Sequence, residues 1–341
     1  MKKGIFMNYT TLGKTGLKIS RLGFGGIPIQ RVDATTTKEL IKSMVEKGIN
    51  YIDTARGYTV SESYLGEALE GVRDKFVLAT KSMSRTKAEM ARDIDISLNN
   101  LRTNYIDLYQ VHNPTVPQLE AVASEGGALE ALLEAKAAGK IGHIGVTAHS
   151  TEVFTKALSY DWVETIMFPY NIVETQGEEL IHTCTEKNVG FIAMKPLAGG
   201  ALENAALAIR FITANPDVSV VIPGMYNLAE IEQNLAACEN TAPFSKTELE
   251  EMETIRQQLG SNFCRRCNYC APCTVGINIP GVFLFQGYLD RYGLEKWARD
   301  RYASIAVKAS ACIECGECET RCPYNLPIRE MLKDAAAKFG E

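Results

Sequence analysis

The chain has 341 residues, 46% of them hydrophobic and 23% charged, enough to bury one large domain and a smaller one. Its 36 Lys and Arg against 41 Asp and Glu leave a formal net charge of -5, and no basic tract stands out, which argues against nucleic acid as a partner. The N-terminal MKKGIFMNYTTLG has no apolar run behind its lysines, and no stretch reaches membrane-spanning length, so no membrane association and a cytoplasmic address are expected.

In chain order, YTTLGKTGLKIS (9–20) predicts a small hairpin. Eight β-rich runs follow, at 20–26, 49–55, 75–81, 105–113, 143–150, 164–171, 190–196 and 218–224. Helical patterns lie between them. In 37–48, Leu40, Ile41, Met44 and Val45 form one stripe; 87–102 repeats the apolar period, and 127–140 ends on a glycine stop. Strands buried on both faces and alternating with helices indicate a parallel sheet. Eight such units in about 250 residues predict an α/β fold of the (β/α)8 TIM barrel type. The barrel is expected at 20–260, after the hairpin segment at 1–19; a doubly wound open sheet is the alternative. One further helix is expected at 245–260, with Ser245 as N-cap and Gly260 as stop.

Three strand exits carry polar residues: Asp53 after the second run, Lys81 after the third and His112 after the fourth, with Tyr58 just beyond Asp53. In a barrel these four side chains converge over the C-terminal mouth, where chemistry sits. A tyrosine hydroxyl has a pKa near 10. A neighbouring lysine cation stabilises the phenolate, so Tyr58 can trade a proton with a carbonyl oxygen. Asp53 can hold Lys81, and His112 can donate to the carbonyl oxygen and orient the substrate. Arg56 could attract an anionic substrate or pair with a scaffold carboxylate.

GINYIDTARGYTVSESYLGEAL, the lysine after strand three, the histidine after strand four and TTLGKTGLKISRLGFGG together resemble the aldo-keto reductase superfamily from residue 8 to about 240. The resemblance implies a carbonyl or alcohol oxidoreductase with Asp53, Tyr58, Lys81 and His112 as its tetrad. It also implies a nicotinamide cofactor lying across the mouth. The absent GxGxxG element agrees, since this family does not use the Rossmann fingerprint. The cofactor-contacting positions depart from the family pattern. Thr147 and Ala148 stand for its Ser-Asn pair, Met167 for a glutamine, and Met194 followed by Lys195 for a stacking aromatic. Ala148 and Met167 cannot make the lost hydrogen bonds. Gly199, with Gly200, would let backbone approach the pyrophosphate closely, and Leu197 is a further cofactor-binding candidate. VIPGMYNLAEIEQNL (221–235) matches the adenosine-phosphate segment: Gly224 and Glu230 stand where NADP-preferring relatives carry Lys and Arg, and Asn234 keeps the adenine contact. A carboxylate facing a 2'-phosphate is unfavourable, so NAD(H) is favoured over NADP(H).

Eight of the ten cysteines lie between 264 and 322; Cys184 and Cys238 stand apart, as small buried thiols of helices. In a reducing compartment, clustered thiols favour metal over disulfides. Cys312, Cys315, Cys318 and Cys322, followed by Pro323, form a C-x2-C-x2-C-x3-C-P run that resembles bacterial-type ferredoxins. The earlier run, Cys264, Cys267, Cys270 and Cys273, has its last gap one residue short and Thr274 in place of the proline. In two-cluster ferredoxins the fourth cysteine of a run ligates the other cluster. Carried over, this pairing gives one [4Fe-4S] cluster on Cys264, Cys267, Cys270 and Cys322, and a second on Cys312, Cys315, Cys318 and Cys273. A single cluster and structural zinc are the alternatives; no histidine in the segment allows a mixed Cys/His zinc site. A small, ferredoxin-like, mostly helical iron-sulfur domain is therefore expected at 261–341, with short strands at GINIP and YNLPI. Between the runs, Phe283, Phe285, Tyr288, Tyr292 and Trp297 serve packing or an electron-donor surface.

Nicotinamides move two electrons and iron-sulfur clusters one, so direct exchange calls for a flavin or another converter. Three readings follow. In the first, a small-molecule carbonyl or alcohol is transformed with the clusters transferring electrons, and a one-electron donor protein is a partner. In the second, an NAD(P)-dependent carbonyl reductase carries structural clusters. In the third, a non-catalytic electron-transfer protein is built on a retired barrel.

Overall fold

The structure, a computed structural model, describes residues 7–260, 263–266 and 268–341. β1 (Tyr9–Thr11) and β2 (Lys18–Ser20) pair antiparallel, Tyr9 opposite Ser20, as the expected hairpin; residues 1–6 of that segment lie outside the described residues. Then come β3 (Phe24–Gly25), β4 (Tyr51–Asp53), β5 (Val77–Ser82), β6 (Ile106–His112), β7 (Ile141–Thr147), β8 (Thr165–Pro169), β9 (Gly190–Met194) and β10 (Val220–Val221). There is one strand for each β-rich run, and they lie side by side in chain order as a curled, all-parallel sheet. The helices of this part are α1 (Ala34–Lys47), α2 (Ser61–Ala68), α3 (Lys87–Asn100), α4 (Val116–Ala123), α5 (Ala128–Ala137), α6 (Thr151–Ala157), α7 (Glu178–Glu186), α8 (Ala205–Thr213) and α9 (Leu228–Cys238).

Local signals set the helix limits. Asp33 caps α1 by accepting the Thr36 N–H at 2.7 Å, and Gly48, with φ of 74°, ends it in the left-handed conformation that glycine adopts without steric cost. Leu40, Ile41 and Met44 are fully buried between α1 and the sheet.

Two apolar clusters flank the sheet. One lies between strands and helices. The other gathers Tyr51, Ala79, Leu108, Met167, Ile192, Val220 and Ile222 from six strands and the β10 exit, with Leu12 and Ile19 of the hairpin. The period of two along a strand then fixes the next layer: Asp53 follows Tyr51, Lys81 follows Ala79, and Gln110 and His112 follow Leu108. Isolated bridges link residues around β3 and β10. The Gly23 and Gly25 N–H groups donate to Val221 and Pro223 carbonyls at 2.8 and 2.9 Å, and Leu22 bridges Val221. A Cβ on Gly25 would sit 2.9 Å from the Ile222 carbonyl oxygen, so only glycine permits that approach.

By compactness the chain divides into two units, the second made of residues 243–341 with the short segments 172–174 and 198–203. It is largely helical: α10 (Lys246–Gly260), α11 (Ile279–Asp290), α12 (Glu295–Ala303), α13 (Glu317–Thr320) and α14 (Ile328–Phe339). Ser245 caps α10 as expected, accepting the Glu248 N–H at 3.2 Å while the Glu248 carboxylate takes the Ser245 N–H at 2.8 Å. The strands expected at GINIP and YNLPI are not formed. Ile279 opens α11 and Ile328 opens α14 instead. The physical reason is helix-start chemistry: the Asn278 side chain accepts the Gly281 N–H at 3.1 Å with Pro280 in the first turn, and Pro327 precedes α14. The core of this unit joins Ile277, Val282, Phe283, Leu326 and Leu332 to buried Cys270, Cys318 and Cys322. Tyr288 centres the aromatic group, 4.6 Å from Trp297, 5.3 Å from Tyr292 and 6.4 Å from Phe285 between ring centroids.

Candidate active site and cysteine centre

Asp53 and Lys81 are 3% and 2% exposed and form a buried ion pair. Lys81 Nζ donates to Asp53 Oδ2 and, at 2.8 Å, to the Thr54 carbonyl. The other Asp53 oxygen accepts from Gln110 Nε2 at 3.0 Å. Burial pushes the Asp53 carboxyl up and the Lys81 ammonium down from their ordinary values, and each partner's charge opposes the shift of the other. Lys81 Nζ also lies 4.9 Å from the centre of the Tyr58 ring, and the Tyr58 and His112 rings meet edge-on, 6.2 Å apart. The four predicted residues are thus brought together, with Tyr58 and His112 half-buried at the surface of the group.

The loop carrying Tyr58 is tightly built. Tyr58 N–H donates to the Ala55 carbonyl at 3.0 Å, Ser61 N–H to the Tyr58 carbonyl at 2.8 Å, and Thr59 adopts a left-handed φ of 42°. Asn113 (φ 46°) and Lys195 (φ 55°), just past β6 and β9, share that sparsely populated conformation. Such backbone strain gathers where structure serves a site. Arg56 is committed to the scaffold: it pairs with buried Glu62 at 2.9 Å and approaches Asp93 at 3.7 Å. Glu62 also accepts from Thr80, Ser97 and Asn100 at 2.8, 2.8 and 3.1 Å. Sequence reasoning missed Gln110 and Glu62. Gln110 could have been found, since it is a polar residue two before His112 on the same face of the strand.

The cofactor candidates spread along the following strand exits. Thr147 ends β7, buried, its hydroxyl accepting the Asn113 N–H at 2.9 Å. Ala148 and Met167 are buried and bring no hydrogen-bonding group. The Lys195 carbonyl accepts from Asn171 at 2.9 Å, and Leu197 is half-buried. Asn227 caps α9, and the Glu230 carboxylate folds back to accept the Tyr226 N–H at 2.8 Å; Gly224 is exposed and Asn234 buried. Gly199 belongs to the second unit, where its carbonyl accepts from Arg291 Nε at 2.9 Å and a Cβ would stand 3.3 Å from the Tyr292 ring.

In the second unit, Cys273 of the first run lines one cleft with Cys312, Cys315 and Cys318 of the second. Thr274 Oγ1 lies 3.4 Å from Cys315 Sγ, and the Glu314 N–H points at Cys312 Sγ from 3.4 Å. Arg321 ties the runs together, donating to the Pro272 and Glu317 carbonyls at 3.0 and 2.9 Å. Cys264, Cys270 and Cys322 contribute to the same core, and Cys267 lies outside the described residues. Among the described residues no three His, Cys, Asp or Glu side chains gather closely enough to grip a single metal ion. Cys184 and Cys238 are the expected buried thiols, pushed up to about 12 by burial and therefore inert. Among the described residues no helix is long and apolar enough to cross a membrane.

A curled parallel sheet with this group at its strand ends defines an oxidoreductase of the aldo/keto reductase type. The chain belongs to the aldo/keto reductase family, whose profile matches residues 21–207 and 203–257, and residues 263–327 match the 4Fe-4S dicluster domain. Among curated proteins it is similar to L-galactose dehydrogenase of Arabidopsis thaliana, 28% identical over 66% of this chain and 86% of that one. It is also similar to aldo-keto reductase YhdN of Bacillus subtilis, 35% identical over 51% of this chain and 57% of that one. Among solved structures, the holo form of aldo-keto reductase AKR11C1 from Bacillus halodurans superposes with a TM-score of 0.62 at 26% identity, covering 73% of this chain and 96% of that one. The dicluster match gives the tail iron-sulfur capability.

Proposed function

We propose that this protein interconverts a carbonyl and an alcohol by hydride transfer, with Tyr58 as the acid/base. The observation that carries this reading is the Lys81 cation held 4.9 Å from the Tyr58 ring while anchored to Asp53. A nicotinamide, when bound, supplies or accepts the hydride. Tyr58 gives its proton to the carbonyl oxygen in reduction and takes it back in oxidation. Lys81 favours the phenolate left behind, and Asp53, steadied by Gln110, keeps Lys81 in place. His112 donates to the same oxygen and sets its direction. The bridges of Leu22 to Val221 and Gly25 to Gly224 support closure of the sheet into a (β/α)8 barrel, with the reductase domain taken as 20–260 because the family match runs to 257.

The nucleotide positions fit NAD(H) better than NADP(H). Glu230 places a carboxylate at the first turn of α9, where a 2'-phosphate would meet like charge. Thr147 retains a hydroxyl proton for the carboxamide, and Lys195, Leu197, Gly224 and Asn234 complete the assigned contacts. Tighter binding of NADPH than NADH would overturn this preference. For the tail, the shared cleft of Cys273, Cys312, Cys315 and Cys318 supports crossed ligation of two [4Fe-4S] clusters, with Cys322 completing the set of Cys264, Cys267 and Cys270.

Tyr58→Phe tests the reading: carbonyl turnover should fall by about 100-fold or more with cluster spectra intact, and full activity would remove Tyr58 from the acid/base role. A second reading, with clusters purely structural, is favoured by the burial of Cys270, Cys318 and Cys322 in the unit's apolar core. Cys315→Ser separates the two. Undiminished NAD(P)H-driven turnover in a folded variant would assign the clusters a structural role, whereas loss of turnover with nucleotide binding retained would assign them electron transfer.

A further inference from the structure

Arg85 lies in the loop between β5 and α3, four residues past Lys81. Its Nη2 donates to the carbonyl of His112 at 2.8 Å and its Nη1 to the carbonyl of Ser84 at 3.3 Å. The guanidinium therefore sits at the exits of β5 and β6, against the backbone of a tetrad residue. Its own backbone is pinned, because the Arg85 carbonyl accepts the Ala128 N–H at 3.0 Å and neighbouring Thr86 bridges Gly127. Among the described residues no carboxylate pairs with it. Of the α3 acids at this loop, Asp93 is taken by the hydroxyls of Ser82 and Ser84 and by Arg56, and Glu89 accepts from the Thr86 hydroxyl at 2.9 Å. Arg85 Nε is buried, with no hydrogen-bond partner among the described residues. Burial alone pushes this guanidinium down to about 10, with no acid opposing the shift.

A half-buried cation satisfied only by two carbonyls is poorly compensated, since charges withdrawn from water are ordinarily paired. Arg56, a nearby arginine, shows the ordinary arrangement, with Glu62 and Asp93 as counter-ions. We propose that Arg85 receives a carboxylate carried by the carbonyl substrate, so that the enzyme acts on aldehydes or ketones bearing an acid group. The guanidinium keeps unused N–H donors in a planar fork that matches a carboxylate. Its bond to the His112 carbonyl ties the position of the bound anion to the residue that orients the reacting oxygen. The inference names the substrate class of the reading above and rests on it.

The test uses cluster-loaded full-length protein with NAD+ and two probes of nearly equal shape, 4-formylbenzoate and its methyl ester. Binding is measured by calorimetry. The acid should bind wild type about tenfold or more tighter than the ester. In Arg85→Gln the ratio of the two affinities should collapse to about one, and Arg85→Lys should retain part of it. A wild type without preference for the acid, or an Arg85→Gln variant that keeps the wild-type ratio, overturns the assignment. If Arg85→Gln does not fold, wild type alone decides: the acid preference must shrink as salt rises from about 0.02 to 0.5 M, and a salt-independent ratio is fatal to the proposal. Turnover with NADH separates the two layers. Charge-selective binding without reduction of either aldehyde would defeat the carbonyl-reductase reading and leave the Arg85 site standing. Reduction of both without charge preference would do the reverse.

Discussion

Asp53, Lys81 and His112 were legible because each puts a polar side chain at the end of an apolar strand, and the two-residue period then places all three on one face. Their electrostatics were not legible, because burial is a tertiary property. Lys81→Met would leave the Asp53 carboxylate in the interior with only Gln110, and loss of one member of a buried pair costs about 3–5 kcal/mol. Denaturant titration should show that loss, and Asp53→Asn added to Lys81→Met should recover part of it. If the double variant is no more stable than the single, the pair is not the unit that matters. Arg56 and Arg85 show where sequence stops. Both lie in loops beside the tetrad, and only the packing of Glu62 and Asp93 tells which guanidinium is already spoken for. Thr274 is a further case. It replaces a proline of the ferredoxin pattern, and its hydroxyl faces Cys315 Sγ. If Cys315 ligates a cluster as proposed, its thiolate has no proton to give and the hydroxyl donates, which would stabilise the more reduced, more negative cluster. Thr274→Val should lower that cluster's reduction potential in an EPR-monitored titration, Thr274→Ser should not, and equal potentials in both would dismiss the bond.

At the level of elements, all eight strand runs became strands because continuous β-rich stretches between turn residues carry their own signal. GINIP and YNLPI did not, since Asn278, Pro280 and Pro327 favour starting a helix more than extending a strand. Strand-to-strand fastening also rests on residues no periodicity marks. Glu164, just before β8, accepts from His143 at 2.7 Å, Lys136 at 2.8 Å and the Ile144 N–H at 2.9 Å, binding β7 to its neighbour. Burial alone would raise its pKa, but these three partners outweigh it and hold the carboxyl at about 2, below the ordinary 4.5. A carboxyl lowered on folding contributes stability that is complete above the unfolded value and lost as pH falls towards the folded one. Acid titration of folding should therefore show a decline between about pH 4.5 and 2 that Glu164→Gln lacks. An unchanged acid limb in that variant would show that other carboxylates set the decline.

At the scale of the whole molecule, the sequence divided the chain by composition, cysteine-poor before 260 and cysteine-rich after, while compactness assigns α10 and the short segments 172–174 and 198–203 to the second unit. Those segments follow β8 and β9, and nothing in their composition announces the company they keep. What holds them is specific: Glu174 pairs with Arg266 at 2.6 Å, Arg265 donates to the Val173 carbonyl at 3.1 Å, and Arg291 donates to that of Gly199. Because three cysteines are buried in that unit's core, stripping its iron should raise hydrogen exchange across 263–341 and in 172–174 and 198–203, with β4 to β8 still protected. Uniform protection after iron loss would mean that packing alone sustains the second unit. The cleft shared by Cys273 with Cys312, Cys315 and Cys318 bears on biosynthesis. A ligand set divided between two distant runs cannot be completed while the chain is still being translated between them. Under the crossed ligation proposed above, neither cluster would fill until the second run has left the ribosome, so a transcript stopped after the first run would yield a protein with no cluster at all rather than one.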